Sequence, residues 1–395
     1  DRRGFRVGDV SDFAFSLAAS SILLSFSGDV VRPGLTKETR SAGDLALETA
    51  SPTRLREWLG FPPTPLDIIG ETRIAGRLDL NASRADLADA SVEIDGQTGN
   101  GQLNLRWNRE GSPLLSGTLD FDTLALPNPF TAEQSLAELF GQSQGAAQLA
   151  LDLRVSAPTA TVGAAPVSDV AAAVLVQGGR TTIDIAQADT PAGALTGSVR
   201  LTPANIVTDT AATITANLGL TGADFSKLSP DAPLGVSGTG NASLQLQATG
   251  TEANSILASL DGNVVLVIGV GEVRGREEVW LASASNRISG VTGGATPFDT
   301  ARLALFIVSG TAYLREGKFS NPDTDLEFGG RIDLEEMTLA LRGQAISKAA
   351  PDAEPTTIFI GGTAAAPLLV PLPNRIAAPV EETVEELKTE PVESQ

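Results

Sequence analysis

Three carboxylates at alternating positions are the first candidates for a cation site. Asp323, Asp325 and Glu327 would share one face of a β-strand, and oxygen ligands of this kind suit Ca2+. The glycine and the distant glutamate of an EF-hand loop are missing, however. We therefore interpret the three side chains as the solvated face of a strand. We expect Glu335 and Glu336 to lie in the turn that ends a strand.

A glycine-rich segment is the second candidate, because it follows an apolar stretch as a dinucleotide-binding loop does. Gly269-Val270-Gly271 comes directly after the expected strand 264–268. The third glycine stands at position 275 rather than 274, and Pro297 and Phe298 occupy the place where an acidic ribose ligand is expected. We therefore predict a hairpin turn at Gly269-Val270-Gly271.

Composition argues against catalysis. The 395 residues include no cysteine and no histidine, which excludes thiol nucleophiles, Ser-His-Asp triads, imidazole bases and Cys/His zinc sites. The sequence also places no pair of carboxylates across a cleft. We predict that the protein is not an enzyme and needs no metal and no cofactor. Its formal net charge of −20 disfavours nucleic acid as a partner, and also docking onto anionic lipid headgroups by charge.

The elements that hold these residues are predicted to be strands. Apolar and polar residues alternate along most of the chain, as in 148–155, and 40 glycines and 23 prolines supply turns. The apolar stretch 13–26 is predicted as a pair of strands, since it is too short and too rich in serine to cross a membrane as a helix. Short helices are expected after Ser51, Thr131 and Thr251.

Weak internal repeats divide the chain. Units that begin at Gly70, Gly145 and Gly238 each start with a glycine and an alternating strand, and the first two continue through polar links at 88–92 and 167–170 to further strands. We predict four regions, of which the third is the most distinctive and the fourth is an acidic tail. The tail is expected to be disordered, with docking onto a partner as the alternative. The regions are 1–128, 129–236, 237–376 and 377–395.

The fold prediction follows from the number of apolar strand faces. Each must be buried against a second sheet, inside a closed barrel, or around a ligand in an open trough, and the expected helices are too short to cover them. We predict an all-β, mainly antiparallel, elongated and curled sheet that forms a groove, with a few short helices. About 20 strands would extend it on the order of 100 Å. An ordinary two-sheet core remains open at this point.

An aliphatic groove suits phospholipid acyl chains, since each buried CH2 contributes roughly 0.8 kcal/mol. We predict that the groove is lined by side chains from the apolar face of the alternating strands. The predicted lipid-binding residues are Leu103, Leu105, Leu149, Leu151, Leu153, Ile183, Ile185, Leu244, Leu246, Leu326, Phe328, Ile332 and Leu334.

The last third of the chain resembles the AsmA family, which is related to bridge-like lipid-transfer and TamB-type envelope proteins. The resemblance rests on the order of several short motifs and is strongest from 237 to 372. A segment upstream, 52–60, is similar as well. The motifs are Ser259-Leu260-Asp261-Gly262, Gly271 to Gly275, Phe328-Gly329-Gly330-Arg331-Ile332-Asp333-Leu334 and the ending from Ile358 to Pro367.

The resemblance implies a Gram-negative envelope protein with a periplasmic β-rich body, anchored in the inner membrane by an N-terminal helix. It further implies support of outer-membrane biogenesis, with phospholipid carried along the groove. The sequence from Asp1 onward does not include such a helix, and the non-Met start leads us to expect a fragment or a processed product whose anchor lies upstream. Two alternatives stay open: an assembly factor for outer-membrane proteins that acts through sheet edges, and a passive β-solenoid scaffold with a closed, dry core.

Overall fold

The computed structural model describes most of the chain as strands of one sheet. Between the strands, the described residues form tight turns, a short helix α1 (Ala253–Ala258), a 3-10 turn at Phe225–Lys227 and a helical turn at 52–54. The described residues are 10–19, 22–31, 39–54, 70–107, 112–126, 149–202, 211–227, 235–250, 253–274, 295–352, 354–364 and 366–372.

Within the described residues the sheet contains 22 strands, the first beginning at position 10 and the last ending at position 372. The strands are β1 (Val10–Ala19), β2 (Ile22–Val31), β3 (Arg40–Thr49), β4 (Thr72–Leu80), β5 (Arg84–Ile94), β6 (Gln97–Arg106), β7 (Leu114–Phe121), β8 (Thr123–Leu126), β9 (Ala150–Val162), β10 (Ala165–Gln177), β11 (Arg180–Thr190), β12 (Gly193–Thr202), β13 (Thr213–Asp224), β14 (Gly235–Thr249), β15 (Asp261–Arg274), β16 (Ala295–Phe298), β17 (Thr300–Val308), β18 (Thr311–Ser320), β19 (Thr324–Asp333), β20 (Thr338–Ser347), β21 (Thr356–Thr363) and β22 (Ala366–Leu372).

The strands follow one another as a meander. Most consecutive strands pair antiparallel. Two pairs of consecutive strands do not pair with each other: β7 and β8 both lie parallel to β9, and β16 and β17 both lie antiparallel to β15. Since β8 continues the row of β7, and β16 that of β17, the sheet has about 20 positions and extends roughly 90 Å at about 4.8 Å per strand. It stays open, with β1 at one edge and β22 at the other.

This architecture confirms the predicted fold class: an elongated, mainly antiparallel, curled sheet that forms an unclosed groove. In the described part of the chain, strands pack against ladder neighbours, and the buried clusters draw on contiguous strands. The two-sheet core is therefore not what the chain adopts. The stretch 13–26 pairs as predicted, with Phe15 opposite Phe26.

The predicted helices are partly visible. Residues 52–54 are helical, and the backbone N–H of Arg54 donates to Ser51 Oγ at 3.4 Å, as expected of an N-cap. The helix expected after Thr251 is found as α1. The helix expected after Thr131, the remaining residues expected in the helix after Ser51 and the acidic tail 377–395 lie outside the described residues. Of the predicted region boundaries, 128/129 lies there too, and 236/237 falls inside β14.

The two predicted polar links are strands instead. Residues 88–92 belong to β5 and residues 167–170 to β10. Both contain an aspartate in the left-handed region, Asp89 and Asp169, each at φ 49°, where the ladder shifts register. Their polarity marks a β-bulge, for which a short polar side chain at positive φ is favoured over a larger one.

The hairpin turn predicted at Gly269-Val270-Gly271 is also wrong. These residues lie inside β15, which continues to Arg274 beside β14. The register of the pair shifts between Gly238 and Gly240, and Val270 is 74% exposed beside the shift. Glycine favours bulges as well as turns, and here it allows a long strand to bend without ending it.

Candidate functional site: the apolar face

One face of the sheet is apolar from the first strand to the twentieth. Cross-strand pairing connects a row of residues, here called the central row, in which every member is glycine or apolar. At about 4.8 Å per strand the row is roughly 80 Å long. It consists of Phe13, Gly28, Gly43, Leu78, Leu87, Leu103, Gly117, Leu153, Val174, Ile183, Val199, Ala216, Leu246, Gly262, Ile307, Ala312, Ile332 and Leu339.

Strand alternation explains why the row is uniform. Side chains two residues apart share a face, so strands that keep period two and pair without a net slip keep their apolar residues on one side. The bulges at Asp89 and Asp169 add a residue without turning the apolar set to the other face. At Gly28 a Cβ would lie 2.2 Å from the carbonyl oxygen of Ala42, so β2 and β3 approach closely there only because Gly28 has no side chain.

The predicted lining residues all belong to this face or to its ends. Leu103, Leu153, Ile183, Leu246 and Ile332 are members of the central row. A parallel line through the pairs Leu105–Leu115, Leu115–Leu151 and Leu151–Val176 holds two more. The others flank the central row on their strands, except for two that stand just outside a strand. The flanking set is Ile185, Leu244, Leu326 and Phe328, and the two outside are Leu149, before β9, and Leu334, after β19.

The predicted residues differ in how much surface they offer. Leu151 is buried at 3% exposure, whereas the other twelve are partly exposed. Leu326 and Phe328 pack against a buried cluster that includes Ile268 and Phe319. Leu153 and Ile183 belong to none of the buried clusters. The register therefore brings the predicted residues onto one face, but their side chains are not equally accessible to a bound ligand.

Aromatic side chains fill one part of this face, and sequence reasoning missed them as a group. The rings of Phe298 and Phe319 meet at a centroid distance of 5.2 Å, and those of Phe319 and Phe328 at 6.0 Å, both in edge-on geometry. Phe225, from the 3-10 turn, joins the same cluster. The available signal was the recurrence of phenylalanine at 298, 319 and 328, which lie on strands that the register makes near neighbours.

The opposite face is mostly polar and carries the ion pairs, although Leu23, Leu175 and Val267 are exposed on it. Arg73 Nη2 lies 2.5 Å from Glu71 Oε1, and its Nη1 lies 3.1 Å from Glu93 Oε1 on the adjacent strand. Arg40 pairs with Asp79 across β3 and β4. The hydrogen bond from Arg40 is the largest cause that lowers the pKa of Asp79 below its usual value. The contacts of Arg73 with Glu93 and of Arg40 with Asp79 join adjacent strands on this face.

Two shallow depressions of about 430 and 420 Å3 lie over the polar face. The second contains Asp86 and Asp152 together with Arg106 and Arg154, so its charges balance. Across the residues that the structure describes, no group of three or more acidic side chains could hold a metal ion. Asp325 and Glu327 instead contact lysines, Lys348 at 3.1 Å and Lys318 at 3.3 Å.

Glu335 and Glu336 lie in a turn, as predicted. Their backbone N–H groups donate to Asp333 Oδ1, each at 3.0 Å. This is an aspartate-capped turn after β19, with the two glutamate side chains exposed.

Comparison with known proteins adds no identification. No family model, no curated protein and no solved structure matches this chain. The resemblance to the AsmA family therefore rests on the motifs alone and stays a prediction. Within the described ranges, no helix has the length and apolar character needed to span a bilayer.

Proposed function

We propose that this protein carries phospholipid acyl chains along the apolar face of its sheet and acts without catalysis. The central row supports this proposal most directly. It presents glycine and apolar residues without interruption over roughly 80 Å, and no second sheet packs on it in the described residues.

The apolar surface that the row leaves accessible is chemically similar from strand to strand. An acyl chain gains roughly 0.8 kcal/mol for each CH2 that it buries against this accessible surface. A displacement along the row exchanges one aliphatic contact for another, so the free energy changes little from step to step. Movement then needs no cofactor and no chemical step.

The polar face completes the proposal. Ion pairs such as Arg302–Glu316 at 2.9 Å keep that side compatible with water while the apolar side is occupied.

We propose, from the AsmA resemblance, that the protein acts in the periplasm in support of outer-membrane biogenesis, and that an N-terminal segment anchors it in the inner membrane. The apolar face does not depend on that placement.

The experiment compares adjacent residues on opposite faces of β11. Ile183 belongs to the central row, and Asp184 is exposed on the polar face. Ile183→Arg puts an unpaired charge in the path, and covering such a charge with an acyl chain costs more than the ~1.4 kcal/mol that corresponds to tenfold binding. We expect at least tenfold less copurified phospholipid in native mass spectra, and equally slower transfer between vesicles. Asp184→Arg is the matched control and should behave as the wild type.

Two results would contradict the proposal: wild-type protein that carries no phospholipid, or equal transfer by both variants.

The two alternative functions, a passive scaffold and an assembly factor, require different features of the structure. A passive scaffold predicts a closed, dry core, whereas the sheet is open. An assembly factor that acts through sheet edges needs a free edge, and the two edges of this sheet are not equivalent.

A further inference from the structure

The two edges of the sheet differ in their ability to accept another strand. At one edge, β22 pairs with β21 through Thr363–Ala366, and two residues separate this pair. A pair that closes so short a connection is hydrogen bonded, and the bonded pairs then alternate along the ladder. By this alternation the backbones of Pro367, Leu369 and Pro371 face away from β21.

Proline has no N–H group, so the β22 edge offers a donor at Leu369 alone among these three positions. Prolines on an edge strand are a recognised protection against pairing with another chain. The last strand of the sheet is therefore a poor template for a further strand.

The β1 edge has no such protection. Ala19 pairs with Ile22 across two intervening residues, and the register is regular back to Phe13. The same alternation turns the backbones of Ala14, Ser16 and Ala18 away from β2. Each of these residues keeps an N–H and a C=O group, and none of the six groups has a partner within the described residues.

The apolar face also continues to this edge without cover. Phe13, Phe15 and Leu17 are 42%, 44% and 37% exposed, more than the central-row residues on later strands. On the inner strands, a neighbour on each side covers such side chains. On β1 the described residues supply a neighbour on one side alone, and an added strand with apolar residues on this face would supply the other.

Charge indicates the kind of partner. Asp12 and Asp29 are both exposed at one end of the β1–β2 pair, where the N–H of Asp12 donates to Asp29 Oδ1 at 3.2 Å. Neither carboxylate forms an ion pair within the described residues. A second copy of the chain carries the same net charge of −20 and is repelled, whereas a segment with a basic residue at this end is attracted.

We propose that β1 is a docking site for an extended segment of a separate protein, one that alternates apolar and polar residues and carries a basic residue near one end. The segment adds to the sheet as a further strand and lengthens the apolar face. This inference does not rest on lipid transport, because strand addition uses the backbone edge alone.

The test uses the whole chain and a ten-residue synthetic peptide in which valine or leucine alternates with serine and each end is lysine. We expect the peptide to slow hydrogen exchange at the amides of Ala14, Ser16 and Ala18 at least tenfold, with no change at Leu369. Two N-methylated peptides serve as a matched pair. Methylation of the amides that face β1 should abolish the protection, and methylation of the alternate amides should leave it.

A protein variant tests the same contact from the other side. Ser16→Pro removes one outward donor, and we expect it to lose the protection at Ala14 and Ala18, while Leu369→Pro at the far edge binds the peptide as the wild type does. If Ser16→Pro does not fold, the methylated peptides still decide. Equal binding of the two peptides, or no protection at all, would overturn the proposal. Protection that appears without peptide and grows with protein concentration would identify a second copy as the occupant, and would overturn it too.

Discussion

The apolar face has two segments that solve the same packing problem in different ways. In the aromatic segment, β15–β19, phenylalanine rings fill the curl of the sheet, and Ile268 and Phe298 are only 1% and 3% exposed. In the aliphatic segment, β9–β12, no aromatic residue occurs, and Leu153 and Ile183 of the central row stay partly exposed. The strand pattern is the same in both, and the size of the side chains differs.

The difference in side-chain size indicates where the curled sheet leaves apolar surface free for a bound ligand. A phenylalanine can reach across a concave face to a ring on a nearby strand, as Phe319 does toward Phe298 and Phe328. Valine and isoleucine are too short for this, so the aliphatic segment leaves apolar surface that the chain itself does not cover. We therefore expect bound acyl chains mainly over the aliphatic segment.

The largest expected effect is on the free energy of unfolding, when an isoleucine in each segment is replaced by alanine. Ile268→Ala leaves a cavity in a filled cluster, and we expect it to lower the free energy of unfolding by about 3–4 kcal/mol. Ile183→Ala removes a side chain that is already partly exposed, and we expect a loss of about 1–2 kcal/mol. Urea unfolding of delipidated protein measures both. Equal losses would mean that the two segments are packed alike.

Whether the sequence predicts this contrast depends on whether it arises within one strand or from contacts between different strands. Alternation within a strand is local, so Leu149, Leu151, Leu153 and Val155 could be placed on one face, and the all-β fold predicted, from the sequence alone. The filling of a segment depends on which strands become neighbours.

Phe298 and Phe319 are 21 residues apart in sequence and meet because β16 and β17 share a row beside β18, a register that alternation within one strand does not determine. Single-residue bulges also determine the register, and glycine or aspartate signals a bulge and a turn in the same way. This is why the sequence predicts a turn at Gly269-Val270-Gly271 and a link at 88–92.

A smaller effect, of opposite sign, is expected at a polar residue inside the aliphatic segment. Thr181 pairs with Val176 and Leu201 and is 5% exposed, and its Oγ1 has no hydrogen-bond partner among the residues that the structure describes. Thr181→Val keeps the shape and removes the unsatisfied hydroxyl, so we expect about 1 kcal/mol of added stability. Thr182→Val, on the other face of the same strand, is the control and should change stability little. Destabilisation by Thr181→Val would show that the hydroxyl is satisfied in solution.

The smallest expected effect concerns the polar face, where the two segments differ again. Over the aromatic segment, ion pairs connect β17 to β18 and β18 to β19, and Lys348, directly after β20, pairs with β19. The described residues of β9–β12 form no ion pair. Asp325 accepts a hydrogen bond from Ser320 Oγ at 2.6 Å and lies 3.1 Å from Lys348 Nζ. The hydrogen bond from Ser320, followed by the contact with Lys348, lowers the pKa of Asp325 below its usual value.

A carboxylate whose pKa is lower in the folded chain than in the unfolded one stabilises the fold above its usual pKa, and this contribution is lost as the pH falls through the folded value. We expect Asp325→Asn to cost less than about 1 kcal/mol at pH 7, since the pair is partly exposed. The difference from the wild type should vanish as the pH falls below about 4. Asp184→Asn is the control over the aliphatic segment, because Asp184 forms no ion pair within the described residues, and it should change stability little at pH 7. If both variants lose the same stability at pH 7, the ion pairs of the polar face do not distinguish the two segments, and the contrast between them rests on the apolar face alone.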